Sequence, residues 1–330
     1  MSFLAEYGLF LAKTATIVIA IMAVLITILA LKAKAKADES GTLNVQKLNE
    51  KYDELSDMMH DIIQSKAEKK AQKAALKKEA KQKKSADKAT KNRIFVLRFD
   101  GDIKASEVDD LRETITAILL AANKDDQVLL CLESGGGVVH GYGLAASQLQ
   151  RLRDANLHLT VSIDKIAASG GYMMACVANT IIAAPFAILG SIGVIAQIPN
   201  FHRLLEKNNI DFEQITAGEY KRTLTMFGKN TQKDREKMQE EINETHDLFK
   251  TFVKAHRPQI DIDNIATGEH WFATQCIEKK LVDHLQTSDD YLLSKKESHE
   301  LYELNYKIKQ SLAKRINIFA RSMLNNISQR

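Results

Sequence analysis

From Arg93 onward the sequence predicts an α/β domain, with a parallel or mixed sheet covered by helices. Three observations carry this. Short β-rich runs alternate with runs of helical period. A 37-residue stretch, Ile166 to His202, holds no charged residue, yet turn and breaker signals (Ser169-Gly170-Gly171, Pro185, Gly190-Ser191, Pro199) chop it up. Nine of the 15 glycines fall between residues 135 and 193, where they follow the apolar runs.

Thr14 to Leu31 is an uncharged run of 18 residues. With Tyr7–Lys13 before it, a helix here reaches across a hydrocarbon core of roughly 30 Å. A cleaved signal peptide would open on a basic segment, whereas here Glu6 precedes the span and Lys32, Lys34 and Lys36 follow it. Residues 1–31 therefore read as an uncleaved transmembrane anchor. Residues 32–93 read as a basic helical stalk. Within it Leu48, Tyr52, Leu55, Met59 and Ile62 are spaced 4, 3, 4, 3, a short heptad seam that dissolves into Lys-rich sequence.

The domain itself reads as residues 94–306. Ile94–Phe99, Gln127–Leu132 and His158–Ile163 read as strands, and Ser106–Ala122 and Tyr142–Arg153 as helices. The charge-free 166–202 stretch reads as core, a short helix with short buried strands, and not as a second span. Asp234–Arg257 reads as a long helix. Residues 307–330 carry six bases and no acid and read as a basic amphipathic C-terminal helix that docks on the core, a neighbouring subunit or a membrane surface.

The 330 residues carry 46 Lys+Arg and 42 Asp+Glu, a net charge of +4. That sum is a mosaic: 0 over residues 1–31, +7 over 32–93 and −3 over 94–330. The basic residues lie beside the apolar span, and the Lys run after Tyr52 has no aromatic platform for stacking bases. It reads as a solvated tether near anionic headgroups and not as a nucleic-acid site. Three widely spaced cysteines exclude a disulfide framework and a zinc ribbon, and without His-Glu-x-x-His a zinc hydrolase is disfavoured, so no metal is expected.

Chemistry is expected where glycine loops end strands. Ser134-Gly135-Gly136-Gly137 is neither a P-loop nor a dinucleotide fingerprint; it offers backbone N–H groups to an oxyanion or is simply a tight turn. Ser169, between Ala168 and Gly170-Gly171, reads either as a helix N-cap or as a nucleophile on a sharp strand-to-helix turn, although Gly-x-Ser-x-Gly itself is missing. His140 is the one histidine near these loops in sequence.

Ser134–Gly137, Ala168–Tyr172, Gly190–Val194 and Thr216-Ala217-Gly218-Glu219-Tyr220-Lys221 occur in this order, with 52 residues from Ser169 to Lys221. The ordered set resembles the signal peptide peptidase A family of serine peptidases. The resemblance implies a ClpP/crotonase-like βα repeat fold preceded by a transmembrane helix and a helical stalk. It implies Ser169 as nucleophile, Lys221 as general base, Ser191 as the residue orienting the lysine, and the N–H groups of Gly170, Gly136 and Gly137 as the oxyanion hole. No cofactor is implied. The pattern departs from the family at Gly135, where Ser-Pro-Gly-Gly is usual. A lysine base has to shed its proton, which apolar walls favour, and the charge-free 166–202 stretch would supply them.

The expected activity is hydrolysis of apolar peptides or unfolded membrane-associated proteins by a membrane-anchored serine endopeptidase. The expected partners are a peptide or protein substrate, the lipid bilayer and further copies of the chain in a ring or bowl, with Lys221 able to serve a neighbour's Ser169. A catalytically weak membrane scaffold and a crotonase-like acyl-CoA enzyme are the other classes the sequence leaves open. Family analogy implies a bacterial inner-membrane protein with a periplasmic catalytic domain, whereas the bases after the span place that domain in the cytoplasm.

Overall fold

The computed structural model describes residues 41–65, 68 and 91–307, together with residues 7, 8, 10, 13, 14, 16, 18, 19 and 22. The N-terminal residues described are helical. No helix among the described residues is long and apolar enough to cross a membrane. The span expected at 14–31, the Lys-rich part of the stalk and the C-terminal helix expected at 307–330 lie largely outside the described residues. Val45–Asn305 forms one compact unit, and 1–44 with 306–330 a second.

The chain runs β1 (Thr42–Lys47), α1 (Leu48–Ile63), β2 (Arg93–Gly101), α2 (Val108–Ala121), β3 (Gln127–Ser134), α3 (Val139–Asp154), β4 (His158–Ile163), β5 (Ile166–Ala168) and α4 (Gly170–Ala175). It continues β6 (Thr180–Ala183), β7 (Ile188–Gly190), α5 (His202–Lys207), α6 (Gln232–His256), α7 (Ile262–Ile265), β8 (His270–Phe272), α8 (Ala273–Cys276), β9 (His284–Leu285), α9 (Ser288–Lys295) and β10 (Glu300–Lys307). Among the described residues the strands form a ten-stranded sheet ordered β1-β10-β2-β3-β4-β6-β9, from which β5, β7 and β8 branch at β3. The β10–β2–β3–β4–β6–β9 pairs and the β3–β5–β7 pairs are parallel, and β7–β8 is antiparallel. The expected α/β mixed sheet is therefore observed.

Both sheet faces are covered, which is why the central strands read as continuous apolar runs. Phe95, Leu97 and Phe99 of β2 and Val128, Leu130 and Leu132 of β3 enter the main core, packed with Leu111, Ile115 and Ile118 of α2 and Leu149 and Leu152 of α3. The alternate residues Ile94, Val96 and Leu129 enter a second cluster with Leu48, Leu292 and Leu301. Period two along the strands thus meets spacings of three and four along the helices. Truncating a side chain as buried as Ile115 to alanine costs about 2–5 kcal/mol.

Two differences from the sequence reading concern position. The stalk reading placed residues 42–63 outside the domain, but Thr42–Lys47 is an edge strand and Leu48 is buried against the second face. Only the distal heptad residues Leu55, Met59 and Ile62 are exposed. The 166–202 stretch is mostly buried as far as Ile192, interrupted by an exposed turn at Pro185 and Phe186; beyond it Ile195, Ile198 and Phe201 are exposed. Turn signals mark where strands end but not which side of the sheet the chain leaves by.

Candidate active site

Three neighbouring parallel strands end at one level. Ser134 of β3 pairs with Ala167 of β5, and Ala168 of β5 pairs with Gly190 of β7. The residues that follow, Gly135–Gly137, Ser169 and Ser191, therefore emerge side by side at the carboxyl edge of the sheet. This is where the glycine-loop reading expected them, and where α/β sheets place ligands.

Ser169 has φ 52° and ψ −118°, a left-handed conformation costly for a residue with a β-carbon. The surroundings over-determine it. Its N–H donates to the Gly190 carbonyl at 2.8 Å, and its carbonyl accepts the Met173 N–H at 3.0 Å, which starts α4. Its side chain makes no capping hydrogen bond. Ser169 therefore occupies the N-cap position of α4 without capping it through its side chain. A sharp strand-to-helix turn presenting a hydroxyl is what remains.

Gly136 and Gly170 meet beside it. Gly136 has φ +87°, and a β-carbon there would lie 2.7 Å from the Gly170 nitrogen and 2.8 Å from the Ala168 oxygen. Only glycine permits this approach. The N–H of Gly136 is not free, since it donates to Ser134 Oγ at 3.0 Å. Gly170 opens α4, so its N–H is one of the donors a helix start leaves without an internal acceptor. Among the described hydrogen bonds none uses the Gly137 N–H. Of the three glycines expected to face an oxyanion, Gly170 and Gly137 have donors to offer, while Gly136 sets the close approach. Gly135 is unlike its neighbours. A β-carbon there would meet only Ile166 Cδ1 at 3.9 Å, so space permits a side chain at the position where the family usually has proline.

A buried pair props this loop. Tyr142 Oη donates to the Asp102 carbonyl at 2.7 Å and lies 2.5 Å from Ser134 Oγ, the atom that accepts the Gly136 N–H. Tyr142 is fully buried, and its desolvation pushes the phenol above its ordinary range, so it stays a neutral donor. Sequence reasoning placed Tyr142 at a helix start and missed this role. The chain separation of 40 residues between Asp102 and Tyr142 carries no local signal.

Ser169 lines a cavity of about 530 Å³, inside the roughly 300–1,000 Å³ range of ligand pockets. Its walls are mostly apolar. Leu248, Phe249 and Phe252 of α6 form one side and Met173 of α4 another. Val139, His140, Gly143 and Ser147 of α3 face them. His140 does reach this cavity, as its place in sequence suggested.

Lys221 does not line that cavity. It is exposed, makes no ion pair among the described residues, and lines a separate cavity of about 880 Å³ with Phe212, Ile215 and Phe227. Its turn, closed by the Lys221 N–H to the Gly218 carbonyl at 3.2 Å, is tied to the first half of α6. Glu219 pairs with Lys233, and Lys233 and Lys237 lie over the Tyr220 ring. The first α6 residue to touch the Ser169 cavity is Thr245, eight residues beyond Lys237, or about 12 Å along the helix. Ser191 stands beside Ser169 at the sheet edge with φ 52° and its N–H on the Glu269 carbonyl at 2.6 Å. Ser169, Ser191 and the glycine loops thus share the sheet edge, while Lys221 lines a different cavity. Among the described residues no cluster of His, Cys, Asp and Glu could hold a metal ion.

The sequence matches the description "Peptidase family S49 N-terminal" over residues 2–149 and "Peptidase family S49" over residues 151–302. It is 54% identical to "Probable protease SohB" of Buchnera aphidicola subsp. Acyrthosiphon pisum, covering 100% of this chain and 96% of that protein. It is 48% identical to "Probable protease SohB" of Haemophilus influenzae, covering 99% of this chain and 96% of that one. Among solved structures, the 1510-N membrane-bound stomatin-specific protease aligns with a TM-score of 0.46 at 13% identity, over 68% of this chain and 98% of that chain.

Proposed function

Because the chain belongs to peptidase family S49 and is a protease, we propose that it cleaves apolar peptide segments with Ser169 as nucleophile and Lys221 as general base. The observation that carries this is Ser169 itself: a strained serine without a side-chain capping bond, lining an apolar cavity together with Gly170 and Gly137.

The chemistry follows from these groups. Ser169 Oγ attacks the carbonyl carbon of the scissile bond while its proton passes to neutral Lys221 Nζ. Negative charge moves onto the carbonyl oxygen, where the Gly170 and Gly137 N–H groups receive it; one such donor is worth roughly 10²–10³ in rate. The C–N bond breaks as Lys221 returns the proton to the leaving nitrogen, leaving an ester on Ser169. Water, deprotonated by Lys221, attacks that ester; the lysine then gives the proton to Ser169 Oγ as the C–O bond breaks, releasing the acid product and restoring neutral Lys221 and the serine hydroxyl. No metal or organic cofactor takes part.

Lys221 comes from a second copy of the chain in this proposal. Its exposure, its distance along α6 from the Ser169 cavity, and the exposed apolar residues Ile195, Ile198 and Ile215 of the same segment support this. Contact with a neighbour would cover those residues and give the amine apolar walls. Ser191, beside Ser169, would then hold the incoming lysine. We place the protein in a membrane through residues 1–31, with the lysine-rich stretch 66–91 as a solvated tether, and its substrates are apolar protein segments. Docking on the bilayer or on a further copy is assigned to residues 307–330.

Fluorophosphonate labelling of the full-length chain tests the nucleophile. Labelling should vanish in Ser169→Ala; label retained there would remove Ser169 from the mechanism. Reporter fusions after residue 93 decide which side of the membrane carries the protease.

A further inference from the structure

Gly143 lies inside α3 and lines the Ser169 cavity. Glycine is unfavourable in a helix interior, so a structural reason is expected for it. Its neighbours have one. A β-carbon on Gly141 would lie 2.8 Å from the Lys104 carbonyl oxygen, and one on Gly170 would overlap the Tyr142 ring. A β-carbon on Gly143 would meet no atom within 4 Å, and its φ is not left-handed. Neither packing nor backbone conformation demands glycine there. The space such a carbon would enter is the cavity's own, because Val139, Gly143 and Ser147 are spaced by four along α3 and all three line it.

We propose that Gly143 is the specificity-determining residue of this cavity. Its missing side chain keeps room between α3 and α6 for a large apolar substrate side chain, and a larger residue there would restrict the protease to small ones. The occupant we assign is the side chain on the acyl side of the scissile bond, since Ser169 and Gly170 both line this cavity. The proposal rests on Ser169 being the nucleophile. The opposite wall, Leu248, Phe249 and Phe252, follows helical spacing and presents carbon to the same space. An aliphatic or aromatic side chain is therefore the chemical class it takes.

The test uses peptidyl phosphonates whose acyl-side residue is alanine, leucine or phenylalanine, applied to the full-length chain. Wild type should be labelled faster by the leucine and phenylalanine probes than by the alanine probe. Gly143→Leu should lose roughly tenfold or more with the larger probes and keep its alanine rate, reversing the order. Gly143→Ala, which any helix tolerates, should slow the phenylalanine probe alone. Leu144→Ala, exposed and outside the cavity, should leave the order unchanged. The same order of probes in wild type and both Gly143 variants would overturn the proposal. Equal labelling of Ser169→Ala by all probes would instead overturn the nucleophile on which it rests.

Discussion

A β-carbon built on Gly136 would lie 2.8 Å from the β-carbon of Ser169. The two residues belong to loops 33 positions apart, brought together because β3 and β5 are adjacent parallel strands in register at Ser134 and Ala167. The glycine loop thus passes so close to the strained serine that no β-carbon fits at 136. This closeness explains why the loop carries glycine at 136, where φ is +87°, and not merely a flexible residue.

Gly136→Ala should therefore be far more damaging than Gly135→Ala. The first adds a left-handed penalty of about 1–2 kcal/mol and forces the loop from Ser169 and Gly170. Its fluorophosphonate labelling rate should fall roughly 10²-fold or more, in line with loss of an oxyanion donor, while far-ultraviolet circular dichroism stays native. Gly135→Ala enters open space and should label near the wild-type rate.

Mixing two inactive chains checks where the lysine comes from. Ser169→Ala and Lys221→Ala should each abolish peptide hydrolysis alone. Co-expressed, they should regain a measurable fraction of activity, because a mixed assembly can pair an intact Ser169 with an intact Lys221. Complete inactivity of the mixture, with mixed assemblies shown by pull-down, would place both groups within one chain.

Acid should unfold the domain through Asp283. Burial pushes its carboxyl up, but hydrogen bonds from Arg257 and from the Ile181 N–H outweigh this and hold it below its ordinary range. A depressed carboxylate stabilises the fold above the ordinary aspartate value of about 3.9 and loses that contribution as pH falls through the folded value. Asp126, held by Arg93, acts in the same direction. Urea midpoints should be flat from pH 7 to 5 and fall below about pH 4. Asp283→Asn should already be destabilised at pH 7, by about 3 kcal/mol, since it leaves buried Arg257 without a countercharge.

The three free thiols should be inert in the folded chain. Burial pushes Cys131 up to about 11 and Cys276 up to about 12, and raises Cys176 further. All three are then protonated at neutral pH, and thiolate is the reactive form. Iodoacetamide at pH 7.5 should leave fluorophosphonate labelling intact and modify all three cysteines only after denaturation.

The parts legible in the sequence were those with a local cause. His158–Ile163 was read as a strand with its observed bounds, and Gln127–Leu132 to within two residues, because apolar runs end at turn residues. The glycine loops were read as strand ends for the same reason. β1 and the burial of Leu48 were missed, since an edge strand is defined by the neighbour it pairs with. The exposure of Ile195, Ile198 and Phe201 was missed because apolar composition looks alike in a core and on an exposed surface.

The sequence by itself determined the chemistry available: a serine between small residues at a strand end, glycines that free backbone donors, an ordered set of motifs, and a basic segment next to an apolar span. Only the tertiary structure decided how those groups are shared out. Register between β3, β5 and β7 puts Ser169, Ser191 and the glycine loop at one level. Gly136 is forced by contact, while Gly143 borders open space. Lys221 lines a cavity other than that of Ser169, next to Tyr220, whose ring lies under Lys233 and Lys237 of α6. These outcomes depend on which distant segments meet, and no local pattern of residues encodes a meeting between segments that far apart in the chain.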